Sequence, residues 1–493
     1  MSVKRINTNE KPNTVHLGGK IDFSDFSSAK SVFSYFEEIS AIPRVSGNCA
    51  PIAEYLVNFA KRFQLEYTRD AMDNVLIKKP ASEGYEKRPA VILQGHTDMV
   101  KQCAPDCSID MDREGLILFR NGDTLGALGT TLGADDGIAV AYMLALLSDK
   151  SLSHPPIEAL FTSDEEIGLL GAAAIDSRLL SGRTMINIDS DAEGVFTVGC
   201  AGGMRADITL PLERDIEGGN YFKLTVGGLR GGHSGTEINR DRENAIKILA
   251  EALLAVPQLK ISEISGGNAD NAIPRDASAI FTSSTKRRGE LLSLVAKVTD
   301  KYKISEPEIH FEITPIAAAT LPFTEESSNK IIRLISEEPT GVIGMSRDIE
   351  GLVETSLNLG IIESGAKEIR LTASVRSSKN EKKLELVKKI ENIAKKFGAS
   401  VVTHGEYPAW EYNPDSPLRD VMVAEYEKTY GKLPQIIVIH AGLECGIFAG
   451  KLPGLDCISI GPDNFDIHTT EERLSLSSAA RVWIFLLEVL KKL

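Results

Sequence analysis

Three short apolar runs are each followed by a histidine or by acidic side chains. This repetition constrains the fold more than any other feature of the sequence. The run that begins at Val91 leads into His96 and Asp98, Pro156–Thr162 leads into Asp164-Glu165-Glu166, and Met185–Ile188 leads into Asp189. Apolar runs of this length are typical of strands buried on both faces of a parallel sheet that helices cover. Because such strands end at one edge, where ligands of open α/β sheets bind, we expect these polar side chains to lie close together.

His96 and Asp98 are two residues apart after the first of these runs. Side chains at positions i and i+2 of a strand point to the same face, so the pair is expected to face one space. A neutral imidazole can bind a metal through one nitrogen while a carboxylate near the other nitrogen fixes the ring orientation. Taken alone, the pair is better explained as a His and an Asp on an ordinary loop, and the motifs that follow favour the metal site.

Two further acidic clusters have both a local and a functional interpretation. Asp135 and Asp136 precede a predicted helix over Ile138–Leu147, where acids also complement the helix dipole. The acids after Thr162 could form a solvated turn, since buried acids are costly unless they are solvated or coordinated. Their recurrence at one edge of a predicted sheet favours a shared site.

The order of predicted elements indicates one discontinuous domain with a second domain inserted into it. We predict a catalytic α/β domain over residues 21–203 and 404–493, with a mixed, mostly parallel sheet and flanking helices. Residues 204–403 alternate strand and helix patterns and are predicted to form an inserted α/β domain. Residues 1–20 are predicted to be an N-terminal extension, and the segment between Lys101 and Leu128 is predicted to be a loop.

Composition excludes several classes of protein. A chain of 493 residues is too long for one ordinary core, and its net charge of -14 argues against a nucleic-acid partner. No apolar run is long enough to span a bilayer, and residues 1–20 lack the apolar segment of a signal peptide. Six scattered cysteines are unlike a disulfide framework; Cys103 and Cys107 have no second cysteine or histidine pair nearby to complete a metal site. A cytoplasmic location is the simplest interpretation.

The candidate metal ligands comprise two imidazoles and three carboxylates: His96, Asp135, Glu166, Asp189 and His468. This mixed set of nitrogen and oxygen donors suits zinc and manganese. One bridging carboxylate with two ligands on each side would hold two ions roughly 3.5–4 Å apart, as in aminopeptidase-type hydrolases. Glu165, next to a predicted ligand, is the candidate general base.

Five motifs in order resemble those of the M20 family of co-catalytic metallopeptidases, and within it the aminoacyl-histidine dipeptidases of the PepD or Xaa-His type. They begin at Gln94 (QGHTDMV), Leu132 (LGADDG), Phe161 (FTSDEEIG), Asn187 (NIDSD) and His440 (HAGLECG). The resemblance extends from about Phe33 to the C-terminus, and no metal or catalytic position departs from it.

The resemblance implies a role for each residue of the predicted centre. His96 and Asp189 resemble the ligands of one ion, Glu166 and His468 those of the other, and Asp135 the bridging ligand, followed by a cis peptide bond to Asp136. Zinc is the expected metal, with manganese or cobalt as alternatives. Asp98 resembles the acid that orients His96, and Glu165 the general base that acts on a metal-bridging water and then protonates the leaving amine.

The inserted domain resembles the lid of the family, which in many members also forms a homodimer. His233 resembles the histidine that stabilises the oxyanion, in cis or across the dimer; a structural loop histidine is the alternative. Asn271 and Arg376 resemble residues that bind the free carboxylate of the substrate. Glu444 either pairs with the substrate's α-amino group or is a buried structural acid.

These implications define a metal-dependent dipeptidase that hydrolyses Xaa-His and other dipeptides. A tripeptidase or another amidohydrolase of the same family is the alternative. A non-catalytic scaffold is disfavoured, because degenerate members of enzyme families lose ligands, whereas all five ligands and Glu165 are present here. Small peptides are the expected substrates.

Overall fold

The computed structural model describes residues 20–284, 288–317, 319–347 and 349–493. The predicted N-terminal extension therefore lies, except for Lys20, outside the described residues. The chain forms two compact units. The first comprises residues up to Val198 together with Asn413–Ile437 and Ile447–Leu493, and the second comprises Gly199–Tyr412 and Val438–Gly446.

Within the described ranges, the first unit is built on a mixed eight-stranded sheet. In spatial order its strands are Glu66–Arg69, Val75–Lys79, Ile157–Thr162, Val91–His96, Thr184–Asn187, Asp456–Ser459, Val195–Cys200 and Gln435–Ile439. The four strands from Ile157–Thr162 to Asp456–Ser459 are mutually parallel. The predicted mixed sheet of an α/β fold is confirmed. Its pairing is parallel at the centre and antiparallel towards the sides, where Val75–Lys79 pairs with both Glu66–Arg69 and Ile157–Thr162, and Asp456–Ser459 pairs with Val195–Cys200.

The parallel centre brings the ends of the three predicted strands to one edge. His96 pairs with Thr162, and Gln94 pairs with Asn187, so the three strands are nearly in register. The strands Val91–His96 and Ile157–Thr162 are buried at every position, as expected for strands of a parallel sheet covered on both faces. Their following turns therefore open into the same space.

Helices and a small second sheet complete this part of the chain. The helices, including two short 3₁₀ segments, are Ser24–Ala29, Lys30–Ser40, Ala50–Phe63, Ala134–Ser148, Leu170–Ala174, Ser177–Leu179, Pro417–Tyr430, Glu444–Lys451 and Leu476–Leu490. The strands Leu118–Asn121 and Thr124–Ala127 form a hairpin that pairs with Arg473–Ser475, which in turn pairs with Asn464–Phe465. The prediction that Lys101–Leu128 is entirely loop was wrong, because pairing with Arg473–Ser475 stabilises strands too short to be seen in the sequence.

The second unit is an antiparallel sheet with helices packed on it through one apolar cluster. Its strands in spatial order are His310–Ile316, Tyr221–Gly227, Ala277–Thr282, Lys260–Gly266, Val353–Ser364, Glu368–Ser377, Gly202–Pro211 and Ser400–Tyr407, with Gly341–Met345 beside Val353–Ser364. Its helices are Ala245–Leu254, Arg288–Tyr302, Glu325–Glu337 and Asn380–Phe397. A separate two-residue ladder pairs Gly232–His233 with Ala272–Ile273.

The limits of the second unit differ from the sequence-based boundaries at 204 and 403. Ser400–Tyr407 pairs with Gly202–Pro211, so the unit continues to Tyr412. Val438–Gly446, which contains His440 and Glu444, also belongs to it, as do the last residues of the strands Val195–Cys200 and Gln435–Ile439 and the first residues of the helix Glu444–Lys451. Of the helices in the described part of the chain, none has both the length and the apolar composition needed to cross a bilayer.

Candidate active site

Asp135 lies between the two histidines of the predicted centre. Its Oδ1 is 3.0 Å from His96 Nε2, and its Oδ2 is 3.0 Å from His468 Nε2. Asp135 and Asp136 are joined by a cis peptide bond, as the family resemblance implied. Both residues have non-helical dihedral angles at the start of Ala134–Ser148, so they form a turn that presents the carboxylate of Asp135 to both rings.

The other two predicted ligands complete a triad on each side of Asp135. Asp189 Oδ1 is 3.6 Å from His96 Nε2, and Glu166 Oε1 is 3.0 Å from His468 Nε2. In each triad, formed by His96, Asp135 and Asp189 and by Asp135, Glu166 and His468, the ligand atoms lie within 4.8 Å of one another. Asp135 is the member common to both, which is the arrangement that a bridging ligand requires.

Asp98 contacts both the His96 ring and the backbone that carries the glutamates. Its Oδ1 is 3.5 Å from His96 Nδ1, while its backbone carbonyl is 3.1 Å from the same nitrogen. Its carboxylate accepts hydrogen bonds from Ser46 Oγ and from the N–H groups of Glu165 and Glu166. Burial alone would raise the pKa of Asp98, but these partners lower it. A charged Asp98 can therefore fix the orientation of the ring.

The predicted centre concentrates negative charge in a buried space. Burial raises the pKa of Asp189 to about 6, against the effect of His96. Contacts with Asp135 and Glu166 raise the pKa of His468 to about 10. Burial by itself would lower the pKa of His96, but Asp135, Asp189 and Asp98 raise it well above its ordinary value. Both imidazoles are thus in surroundings that favour a positive charge.

This donor set fits divalent metal ions. Ions bound tetrahedrally at about 2.0–2.2 Å hold neighbouring ligand atoms roughly 3.3–3.6 Å apart. The separations of 3.0 and 3.6 Å seen here are close to these values. Glu166 Oε1 is buried, and its polar contact among the described residues is with another predicted ligand, His468 Nε2 at 3.0 Å, as expected for an oxygen that binds an ion. The residues could therefore hold two ions, with Asp135 between them.

Glu165 lies on the same turn as Glu166, directly after Asp164. Asp164 has a positive φ of 51°, and its carboxylate accepts a hydrogen bond from the N–H of Gly47 at 2.7 Å. This contact and Asp98 hold the turn from two sides. Glu165 is half-buried, and one of its carboxylate oxygens comes within 4.8 Å of ligand atoms of His96 and Glu166. A carboxylate there can exchange a proton with a molecule held at the centre.

Sequence reasoning missed two buried charged residues that support the centre, Arg44 and Glu472. Arg44 donates to the carbonyls of Thr97, Asp98 and Gly133, and Glu472 accepts from successive N–H groups that lead to Asp135. Arg44 stands alone in the turn between two predicted helices, so no pattern singles it out. Glu472 follows His468 by four residues, but the sequence does not indicate which of two adjacent glutamates points inward.

His233 belongs to the second unit, and its contacts define the state of its ring. Its Nδ1 accepts hydrogen bonds from the N–H groups of Gly235 and Thr236, at 3.3 and 3.1 Å. Burial, followed by the positive charge of Arg376, lowers the pKa of His233. The ring is therefore neutral near pH 7 with its proton on Nε2, the form that can donate a hydrogen bond to a developing oxyanion.

The remaining candidates also lie in the second unit. Arg376 donates from Nη1 to Tyr407 Oη at 3.0 Å, and its buried Nε has no partner among the described residues. Asn271 is exposed, and its carbonyl accepts from the N–H of Ser234, next to His233. Glu444 is fully buried at the start of Glu444–Lys451. Arg376 therefore has unused donor capacity, whereas burial of Glu444 suits either of its two interpretations.

Comparisons of the whole chain with known proteins show the family to which it belongs. The profile of Peptidase family M20/M25/M40 matches residues 92–492. The chain belongs to this family of peptide hydrolases.

Two relatives resemble the chain over nearly its whole length. It is 35% identical over 475 residues to the cytosol non-specific dipeptidase of Escherichia coli, an alignment that covers 94% of this chain and 98% of the relative. The crystal structure of aminoacylhistidine dipeptidase from Vibrio alginolyticus matches with a TM-score of 0.86 and 34% identity, covering 94% of this chain and 96% of the other. A tripeptidase from Staphylococcus aureus, at 18% identity and a TM-score of 0.55 over 94% of this chain and 98% of the other, shares the fold.

Proposed function

We propose that this protein is a metal-dependent dipeptidase that hydrolyses Xaa-His and other dipeptides at a centre of two divalent ions. The observation that carries the proposal is the position of Asp135, whose two oxygens each lie 3.0 Å from a different histidine. The similarity to two dipeptidases over more than nine-tenths of the chain supports the substrate class.

His96 and Asp189 would hold one ion, Glu166 and His468 the other, and Asp135 both. Zinc suits this set of nitrogen and oxygen donors, as do manganese and cobalt. The ions would supply positive charge that makes water acidic enough to react near neutral pH and that polarises the peptide carbonyl. Asp98 would keep the His96 ring in its ligating orientation.

Glu165 would carry the proton through the reaction. As general base it takes a proton from the attacking water, and as general acid it delivers that proton to the nitrogen of the leaving amine. His233, neutral and protonated on Nε2, would donate a hydrogen bond to the carbonyl oxygen as negative charge develops there, in cis or across a dimer.

Arg376 and Asn271 would bind the free carboxylate of the substrate. The guanidinium group suits this task because it offers several donors in a fixed plane, and its Nε has no partner among the described residues. Glu444 would pair with the substrate's α-amino group, or serve as a buried structural acid. Recognition of both termini of a peptide would restrict cleavage to short substrates.

The proposal also includes the location and assembly of the protein. The name of the E. coli relative places that protein in the cytosol, and we infer the same location for this chain. We infer a homodimer from the family resemblance. Light scattering after size-exclusion chromatography tests the assembly directly: a monomer at micromolar concentration would contradict it.

A dipeptide panel with defined metal content tests the proposed function. Purified protein is assayed against carnosine, Xaa-His and Xaa-Leu dipeptides, and matched tripeptides, before and after chelation and with zinc, manganese or cobalt restored. We expect hydrolysis of dipeptides that chelation abolishes and added metal restores. Full turnover by protein shown to be metal-free by elemental analysis would refute the mechanism, and a preference for tripeptides would support the alternative activity.

A further inference from the structure

Arg44 and Glu472 bind opposite sides of the turn that carries Asp135. Both are buried: the exposed fraction is 2% for Arg44 and 3% for Glu472. Charged side chains are rarely buried unless they are paired and hydrogen-bonded, because their desolvation is costly. Neither residue is among the predicted ligands or bases, so their burial beside the centre needs another explanation.

Glu472 accepts hydrogen bonds from consecutive backbone N–H groups. Its Oε2 accepts from Leu132 and Gly133 at 2.9 and 3.0 Å, and its Oε1 accepts from Ala134 at 2.9 Å and from Asp135 at 3.4 Å. A carboxylate can accept such bonds on both oxygens, whereas an amide can accept only on one. Glu472 therefore fixes the backbone of the turn up to Asp135 itself.

Arg44 joins this turn to the segment that follows His96. Its Nη2 donates to the carbonyl of Gly133 at 2.5 Å, and its Nη1 donates to the carbonyls of Thr97 and Asp98 at 3.1 and 3.4 Å. The fixed plane of the guanidinium group allows one side chain to bridge two backbone segments. Arg44 thereby connects the backbone beside His96 to the backbone beside Asp135.

Gly133 makes the approach of Arg44 possible. Its φ of 65° is in the left-handed region, and a Cβ atom there would lie 2.6 Å from Arg44 Nη2 and 2.7 Å from Met99 Sδ. A side chain at this position would therefore be strained and would displace the guanidinium group. The turn thus offers a carbonyl to a cation and its N–H groups to an anion.

The two charges also act on each other across the turn. Burial lowers the pKa of Arg44, and the negative charge of Glu472 is the largest effect that opposes the shift. Removing the charge of Glu472 would leave Arg44 buried without this opposing effect, which is more costly than losing a surface pair. Both residues bind the backbone of Gly133, Arg44 at its carbonyl and Glu472 at its N–H group.

We propose that Arg44 and Glu472 are positioning residues that set the affinity of the centre for its metal ions by fixing the backbone of Asp135 relative to His96. The inference rests on the proposed function, because it assumes that Asp135 binds both ions. Residues that orient metal ligands typically affect metal affinity or activity by about 10–100-fold. Since Asp135 is common to both triads, displacing its carboxylate should lower the affinity of the centre for both ions.

Glu472→Gln tests the proposal with little change of volume. Its amide keeps one acceptor oxygen but turns a donor towards N–H groups of the turn. We expect a lower affinity for both zinc and manganese, by about 10–100-fold, measured by competition with a chromogenic chelator. The measurement uses the whole chain and needs no catalytic turnover.

Glu158→Gln is the matched control. Glu158 is also 3% exposed, and its carboxylate accepts from the N–H groups of Ser181 and Gly182 at 3.0 Å. It lies near the start of the strand Ile157–Thr162, about 13 Å from the strand end at 3.3 Å per residue. We expect this variant to lower the Tm of metal-free protein as Glu472→Gln does but to bind metal with wild-type affinity.

Arg44→Lys provides a second variant in case Glu472→Gln does not fold. Lysine keeps the charge but cannot donate to two backbone segments with the geometry of a guanidinium group. We expect circular dichroism like that of the wild type and a weaker affinity for both ions.

The outcomes separate this inference from the proposed function. Wild-type affinity in folded Glu472→Gln or Arg44→Lys would overturn the positioning role and leave the metal centre intact. An equal loss of affinity in Glu158→Gln would also overturn it, because the effect would then follow general destabilisation. A wild-type chain that binds no divalent ion would refute the metal centre, and with it this inference.

Discussion

The carboxylate of Asp98 accepts a hydrogen bond from the backbone N–H of Glu165 at 3.0 Å. The position of Asp98 two residues after His96 predicted only that it faces the His96 ring. In the structure it also binds the backbone of Glu165. It joins the strand end that carries a proposed metal ligand to the turn that carries the proposed base. One buried carboxylate therefore contacts both the proposed ligand and the backbone of the proposed base.

Asp98→Asn should disturb both sides of this connection. The amide keeps one acceptor oxygen, so its NH₂ group would face either a backbone N–H or His96. We expect a loss of metal affinity or of kcat/KM of about 10–100-fold, measured by chelator competition and by dipeptide hydrolysis. Ser46→Ala, which removes only the hydroxyl donor 2.8 Å from Asp98, is the control and should cost about 1 kcal/mol of stability or less. Equal effects of the two changes would contradict the role of Asp98.

Glu165→Gln should distinguish the role of the proposed base from that of the proposed metal ligands. Because Glu165 is not a proposed ligand, the variant should keep nearly all its metal while kcat falls by about 10²–10⁴-fold, the usual contribution of general acid–base catalysis. Asp135→Ala should instead lose metal, since it removes a donor common to both triads. Elemental analysis of both variants checks the distinction. Metal loss in the glutamine variant would mean that the roles of Glu165 and Glu166 are exchanged.

Arg376→Ala should affect substrates according to their C-terminus. We expect kcat/KM for free dipeptides to fall by an amount equivalent to about 2–4 kcal/mol, as loss of a buried charged partner does. Hydrolysis of C-terminally amidated dipeptides, already poor, should hardly change. Tyr407→Phe removes the hydroxyl that accepts from Arg376 and should give a smaller loss in the same direction. Equal losses on free and amidated substrates would show that Arg376 supports structure and does not bind the carboxylate.

His440 should make the second unit sensitive to mild acid. Burial, then the positive charge of Arg376, lowers the pKa of His440 from 6.5 to about 4, and His233 acts in the same direction; Ser356 Oγ is 2.7 Å from His440 Nε2. The unfolded chain thus binds a proton between these pH values while the folded chain does not. The contribution of His440 to stability is fully present above pH 6.5 and falls as the pH drops towards 4, by about 2 kcal/mol between pH 7 and pH 5.

His440→Gln is the variant that tests this pH dependence. Glutamine can still hydrogen-bond Ser356 but does not titrate, so the Tm of the metal-free variant should fall less between pH 7 and pH 5 than that of the wild type. Other titrating groups are common to both proteins and cancel in the comparison. Parallel Tm profiles would show that His440 is not the source of the acid sensitivity.

Sequence patterns alone predicted the elements that carry the centre. The runs ending before His96, Glu165 and Asp189 were predicted to be buried parallel strands, and the structure confirms this. Their length decides between strand and helix, because apolar runs this short are typical of strands. The clustering of His96, Asp135, Glu166, Asp189 and His468 followed from the shared edge of those strands and from the family motifs. The local sequence was sufficient to predict these strands, because each run is mostly apolar and nearly every position of the strands is buried.

Only the tertiary structure identified the contacts between distant segments. The hairpin Leu118–Ala127 was missed because its pairing with Arg473–Ser475 joins segments about 350 residues apart. Arg44 and Glu472 were missed because a buried charge is recognisable only when its partners are known, and theirs are backbone groups that carry no sequence signal. The sequence therefore determined which side chains could form the centre, while long-range packing decided which charged groups hold those side chains in place.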